Sequence, residues 1–213
     1  MSENLEETPE KLYYDPLSVA RRTSQKIHLV NEHDKDALLT HLIKNNEYTG
    51  VIVLTKTKRK ADEVCKHLQE NDIKALSIHS NKGSEDCAKA VASFHGDETT
   101  ALIMTDTTLE AQSFEVINQM ISYNIPHEAS QYYARLVSLE EKGEGIALVS
   151  EEEQGLMDAI QLAMKVEILE VEVEGFTSTD ASELKDKPKK DKSKKPRHKK
   201  SKTKKDSKKK DNE

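Results

Sequence analysis

Long apolar runs are missing from this chain of 213 residues. No segment approaches the ~20 consecutive apolar residues of a bilayer-crossing helix, so no membrane-spanning helix and no membrane partner are expected. Cysteine is nearly absent as well. Cys65 and Cys87, with no metal-ligand spacing around them, exclude a disulfide framework and a thiolate metal centre, and they read as buried thiols of a reducing, cytoplasmic protein. His28, His33, His41, His67, His79, His95 and His127 are scattered, with no H-x-x-x-H pair backed by a third ligand. No metal or other cofactor is therefore expected. None of the 7 glycines belongs to a G-x-x-x-x-G-K-[ST] loop, so nothing in the chain cradles a triphosphate. No Ser, His and Asp arrangement carries a nucleophile-elbow signature. The acidic, polar start MSENLEETPEK does not have the form of a secretory signal.

What is present is a strong charge division. Lys185 to Glu213 holds 15 Lys and one Arg against four Asp and one Glu, a net +11, which leaves −17 on residues 1–184 of a chain whose total is −6. Residues 1–23 read as an extended acidic leader with Pro9 and Pro16, in which Tyr13, Tyr14 and Leu17 are expected to dock on the body. From Ser178 onward apolar residues all but vanish, and residues 178–213 read as a disordered tail that cannot bury enough surface to fold.

Residues 24–177 alternate strand and helix patterns. The stretch VIVLTKTKRKADEVCKHL places a buried strand, Val51 to Leu54, directly before a helix with Ala61, Val64, Cys65 and Leu68 on one face. Strands are also expected at Gln25–Val30, Ala75–Ile78, Ala101–Met104, Ile117–Ser122 and Ile146–Val149, with a half-exposed edge strand over Glu167–Val173 and a close at Gly175. Helices are expected with faces Leu38, Leu39, Leu42 and Ile43, then Cys87, Ala88, Val91 and Phe94, then around Gln131 to Val137. A last one, opened by a Ser150–Glu153 capping box, carries Leu156, Ala159, Ile160 and Ala163 on its face. Such alternation predicts an α/β fold, a parallel sheet flanked by helices, with ligands at the carboxyl ends of the strands.

The turn after Leu54 is unusual for a helix start. Lys56, Lys58, Arg59 and Lys60 add positive charge where the helix dipole is already positive, each costing roughly 0.3–1 kcal/mol. An anion there would offset the cost, and a helix N-terminus with basic side chains suits phosphate.

The loop order VIVLTKTK, IKALSIHSNK, ALIMTD and SYNIPHEASQYYAR resembles the second RecA-like lobe of DEAD-box RNA helicases, most like the RhlE-type branch. The resemblance covers about Ser24 to Gly175, including the closing segment QLAMKVEILEVEVEGF. It implies a single RecA-like domain and an RNA-facing rim made of Thr55, Lys56, Thr57, Lys58, Asn81, Lys82, Thr105 and Asp106. It also exposes departures. Ser80, Ser84 and Cys87 replace the Gly, Gln and Arg of the H-G-N-K-S-Q loop and the RNA-gripping Arg that follows it. In M-T-D-T-T-L-E-A-Q-S, Glu110 stands where the family's A-T-D-x-A-A-R-G-L-D has Arg, Ala111 for its Gly and Ser113 for its final Asp. In A-R-L-V-S-L-E-E only Arg135 survives from H-R-x-G-R-x-x-R, and Ser138 and Glu141 occupy the positions of the arginines that meet the ATP γ-phosphate. No D-E-A-D sequence occurs.

These features imply a non-catalytic, RNA-associated module: a degenerate helicase C-terminal lobe without the ATP-binding lobe, and no enzyme by itself. In the tail, Lys189, Lys190, Lys194, Lys195, Arg197, Lys199, Lys200, Lys204, Lys205, Lys208, Lys209 and Lys210 give salt-sensitive, sequence-independent attraction to RNA, structured or ribosomal RNA being the expected partner. Pro188, Pro196 and the tail's lack of Phe, Tyr and Trp argue against base stacking. A second reading is a protein-interaction module docking on a helicase or ribosome-assembly factor through the −17 body. A third is part of an ATP-dependent helicase completed in trans by a separate first lobe.

Overall fold

The computed structural model describes residue 19 and residues 22–179, apart from 46, 47, 49, 97, 113 and 115. Tyr13, Tyr14, Leu17, Ser113 and every basic residue named in the tail lie outside the described residues.

Each apolar run of the body becomes a strand: β1 Ser24–Leu29, β2 Val51–Leu54, β3 Ala75–Ser77, β4 Ala101–Met104, β5 Gln119–Ser122, β6 Glu144–Val149 and β7 Leu169–Glu170. They form one parallel sheet in the order β3-β4-β2-β5-β6-β1-β7. Every residue of β2 and β4 is fully buried, because helices cover both faces. The helices are α1 Lys35–Asn45, α2 Lys58–Glu70, α3 Ser84–His95, α4 Asp106–Ala111, α5 Ala129–Val137 and α6 Gln154–Met164. Val51 and Val53 face the core under α1 and α2, while Ile52 and Leu54 face the core under α3, α5 and α6. Burying each such side chain contributes about 1.5–3 kcal/mol. The chain enters β2 through Gly50, whose φ of +77° a side chain would strain.

The expected faces of α1 and α2 are the buried ones. Others shift. In α3 Ala90 is buried and Ala88 exposed. In α6 the capping box of Ser150 and Glu153 is present around a short 3₁₀ turn, but the inward residues are Met157, Ile160 and Met164. Ala159 and Ala163 are exposed and Leu156 half-buried. Ile160 belongs to both stripes, so taking Leu156 as its partner turned the expected face by one residue. The edge strand is reduced to Leu169–Glu170, and α4, which has no apolar period, was not expected at all.

The body continues two residues farther than the composition break. Asp34 accepts hydrogen bonds from Ser178 Oγ (2.7 Å), Thr179 Oγ1 (2.6 Å) and Thr179 N (2.8 Å). Burial alone would raise the Asp34 pKa, but these donors outweigh it and hold the carboxyl below its ordinary range. Nearby, Lys35 is fully buried. Its Nζ meets the carboxylates of Glu153 and Glu32 and donates to the carbonyl of Tyr123 (3.1 Å). The Tyr123 hydroxyl donates to Asp36 at 2.8 Å.

Two outcomes follow from this packing. Lys35→Ala leaves the largely buried Glu153 carboxylate without its cation, and urea unfolding is expected to register a loss of about 3 kcal/mol, the lower end for a broken buried pair. His28 is buried with its ring Nδ1 2.6 Å from the Val171 carbonyl, and desolvation lowers its pKa below the ordinary 6.5. A folded pKa below the unfolded one means that this stability is full above about pH 6.5 and is lost as pH falls through the lower folded value. The urea midpoint should therefore drop between pH 7.5 and 5, and His28→Gln, which keeps a donor but does not titrate, should drop less.

Candidate nucleic-acid interface

β2 lies between β4 and β5 in a common register, with Val51 opposite Ala101 and Gln119, and Leu54 opposite Met104 and Ser122. All three strands end at one level. Their following turns, joined by Asn81 from the loop after β3, surround an open cleft of about 660 Å³.

The basic turn is shaped from inside by Thr55. Its backbone N–H donates to the Met104 carbonyl (2.9 Å), and its buried hydroxyl bonds the carbonyls of Thr57 (3.2 Å) and Met104 (3.3 Å). Thr55 thus fixes the turn and offers no side chain to the cleft. Thr57 caps α2, its hydroxyl accepting from Lys60 N at 3.1 Å. The first turn of α2 has no acidic residue. Lys56 is exposed, its N–H donating to Asn124 Oδ1 (3.2 Å) and its Nζ lying 2.7 Å from His127 Nε2. Lys58 Nζ donates to Asn81 Oδ1 at 2.9 Å.

The opposite wall starts at Thr105, whose hydroxyl shares hydrogen bonds with Thr107 (3.1 Å) and Thr108 (3.0 Å). Asp106 is gripped by Arg135 through Nε (2.6 Å) and Nη2 (2.8 Å), while Arg135 Nη1 donates to the Asn124 carbonyl (2.9 Å). Only 2% of Arg135 is exposed. Paired on both sides of its fork, this guanidinium is a structural brace and is not displayed as a free cation.

Of the residues singled out from sequence, Lys56, Thr57, Lys58, Asn81, Thr105 and Asp106 line the same cleft. Lys82 does not. Its Nζ turns under α2 to Ser77 O (2.6 Å), Ser77 Oγ (2.5 Å) and Asp62 (3.4 Å). Asp62 also receives Ser77 Oγ (2.6 Å) and the His79 ring (3.0 Å). Burial would raise the Asp62 pKa, and these contacts together with the Lys82 charge lower it instead. Arg59 of the basic turn lines the cleft as well, and sequence reasoning missed Thr107, Asn124, Ile125, Pro126, His127 and Gln131 as lining residues. Asn124, Pro126, His127 and Gln131 stand in the SYNIPHEASQYYAR stretch that carried the resemblance, so the order of loops was a usable signal. Ser138 turns its hydroxyl back to the Ala134 carbonyl (2.9 Å), and Glu110 and Glu141 are exposed.

Asp106→Ala strands a buried guanidinium and is expected to cost about 3–5 kcal/mol in chemical denaturation. Asp106→Asn, which keeps an acceptor, should cost less.

Residues 34–137 match the helicase conserved C-terminal domain. Among curated relatives, the DEAD-box ATP-dependent RNA helicase RhpA of Helicobacter pylori is 22% identical over 64% of this chain and 28% of its own length. The ATP-dependent RNA helicase SUB2 of Kluyveromyces lactis is 29% identical over 68% of this chain and 34% of its own length. The chain thus spans about a third of the relatives it matches. Among solved structures, a DEAD box protein from Methanococcus jannaschii superposes with a TM-score of 0.67 at 26% identity, over 72% of this chain and 43% of the other. The E. coli DEAD-box protein SrmB, bound to the regulator of ribonuclease activity A, shares the fold with a TM-score of 0.65 at 18% identity, over 74% of this chain and 97% of that one. The parallel sheet, its strand-end cleft and these matches together identify residues 34–137 as a helicase conserved C-terminal domain, and the body built around it has the fold of the C-terminal RecA-like lobe of the DEAD-box proteins it is similar to.

Proposed function

We propose that this lobe holds the sugar-phosphate backbone of RNA in the cleft above β2, β4 and β5 and does not hydrolyse ATP by itself. The observation that carries the reading is the gathering of Lys56, Thr57, Lys58, Asn81 and Thr105 around one opening at the start of α2. A helix N-terminus, two lysines and several hydroxyls and amides suit phosphate and ribose oxygens, and they position a strand without reading its bases. Lys82 and Thr55 act behind this surface. The basic tail adds a salt-sensitive tether for structured or ribosomal RNA.

The non-hydrolytic half of the proposal rests on charge. Ser138 and Glu141 stand where the resemblance places arginines toward a γ-phosphate, and a carboxylate there opposes the charge that phosphoryl transfer develops. Arg135 is occupied by Asp106. We assign the protein to the cytoplasm, in keeping with two buried free thiols. Among the described residues no helix is long and apolar enough to cross a membrane.

A second reading, docking on a helicase or a ribosome-assembly protein, is favoured by relatives solved with protein partners. SrmB is bound to the regulator of ribonuclease activity A, and the S. cerevisiae protein Dbp5 is bound to Gle1.

The deciding experiment is a titration of labelled single-stranded RNA, at low and at physiological salt, with the full chain and with a chain ending after Asp180. That end point keeps the Ser178 and Thr179 bonds to Asp34. Under the first reading the shortened chain still binds, Lys56→Glu with Lys58→Glu weakens it at least about tenfold, and each single Lys→Ala lowers the salt slope by about 1. Binding that disappears with the tail and ignores the cleft substitutions overturns it and favours the second. Phosphate release from ATP by the full chain above background overturns the non-hydrolytic assignment.

A further inference from the structure

β7 is the last strand of the sheet, and its outer edge is open: among the described residues no strand pairs with it. The register shows which groups are left over. Ile27 of β1 is opposite Glu170, and its carbonyl accepts from Val171 N at 2.9 Å. In a parallel ladder a residue bonds to the two neighbours of its partner, so Glu170's own N–H and C=O point away from β1. They form a short, unused pairing edge.

The surroundings of that edge are apolar and acidic at once. Leu162 and Val166 line one shallow hollow and Ile168 and Leu169 the next, the two hollows sharing Asp158, Gln161 and Glu167. Leu162 is 81% exposed and Leu169 67%, the two most exposed large apolar side chains of the described body. On the other side of the strand, a groove of about 570 Å³ takes in Leu29, Val173 and Phe176 together with Glu170 and Glu172. None of the carboxylates of Asp158, Glu167, Glu170, Glu172 and Glu174 makes an ion pair among the described residues. Lys165 is the one lysine or arginine lining these hollows, and the buried His28 is the one histidine.

Charges on an edge strand commonly guard it against sticking to other chains. That purpose accounts for the acids but not for the two leucines, which would make the edge more adhesive. A second copy of the chain does not fit, because it would bring Glu170 and Glu172 against themselves. RNA is repelled by the same carboxylates. An apolar strip beside an open strand edge, flanked by unpaired carboxylates, is complementary to an extended segment whose residues are alternately basic and apolar.

We propose that this edge is a docking site for such a segment of another protein, which adds as a strand beside β7. Its main chain bonds Glu170 N–H and C=O, its apolar side chains cover Leu162 and Leu169, and its lysines or arginines meet Glu167, Glu170 and Glu172. Main-chain bonds and alternate side chains are the usual means of strand addition. The site is separate from the RNA cleft and stands whether or not that cleft binds RNA.

The test is fluorescence anisotropy of a labelled dodecapeptide of alternating Lys and Val, added to the full chain. Two control peptides accompany it, one N-methylated at alternate amides and one with Ser in place of Val. Leu162→Ser with Leu169→Ser, and Glu170→Lys with Glu172→Lys, alter only exposed side chains, and circular dichroism checks that each variant is folded. The expected result is saturable binding that falls at least about tenfold with either control peptide and with either double variant. Absence of saturable binding, or binding equally strong with the N-methylated or the Ser peptide, overturns the proposal. So does binding that the leucine variant leaves unchanged, which marks simple charge attraction.

Discussion

The common register of β2 with β4 and β5 is the constraint on which the site depends. Because Leu54 stands level with Met104 and Ser122, the chain leaves all three strands at the same height. The ladder even runs past the strand ends, with Thr55 N bonded to Met104 O at 2.9 Å and Tyr123 N to Leu54 O at 3.0 Å. The basic turn, the threonine-rich turn and the Asn124 loop are thereby drawn to one opening. A slip of one residue would exchange the two faces of β2, bringing Val51 and Val53 under α3 and α6 and Ile52 and Leu54 under α1 and α2. Two full cores hold the register, and through it they hold the cleft.

Two buried cations then fix the loop that forms the cleft's far side. Lys35 donates to the carbonyl of Tyr123, Arg135 to the carbonyl of Asn124, and Glu153, itself paired with Lys35, accepts from Ile125 N at 3.1 Å. Two consecutive peptide groups, 123–124 and 124–125, are thus tied by side chains from α1, α5 and the turn before α6. Replacing a buried ion pair with apolar residues is often neutral or stabilising, so these pairs are poorly explained as sources of net stability. Their geometry explains them better, since apolar side chains could not hold peptide carbonyls and an amide at set positions.

Much of this architecture was legible because burial on both faces forces continuous apolar runs, and VIVL and ALIM have no other good use. The helix faces of α1 and α2 were equally plain. Legibility failed where the deciding contact is remote. Nothing in N-E-H-D-K-D marks Lys35 as buried, because its partner Glu153 lies 118 residues away. Lys82 reads as a loop lysine like Lys58, yet Ser77 and Asp62, brought together only by α2 packing on β3, draw it out of the cleft. Asp34's hold on Thr179, 145 residues distant, likewise sets an end to the body that composition alone places earlier.

The basic start of α2 shows how tertiary contacts sort charge. As sequence, Lys56, Lys58, Arg59 and Lys60 look like a single uncompensated cluster at the positive end of a helix dipole. In the fold, Arg59 meets Glu63 at 2.8 Å, and Lys60 meets Asp36 at 3.4 Å and sits 4.8 Å from the centre of the Tyr123 ring. Lys56 and Lys58 are left with a histidine ring and an amide as partners. The positive charge without a carboxylate is therefore confined to the two lysines that line the cleft. At the β7 edge, three strands beyond β5, the uncompensated charge is negative. Salt screens exposed charges from one another beyond a Debye length of about 8–10 Å, and three strand spacings of about 4.8 Å already exceed it, so these two regions act on partners separately. One sheet can in this way present an anion-seeking rim and a cation-seeking edge without either cancelling the other.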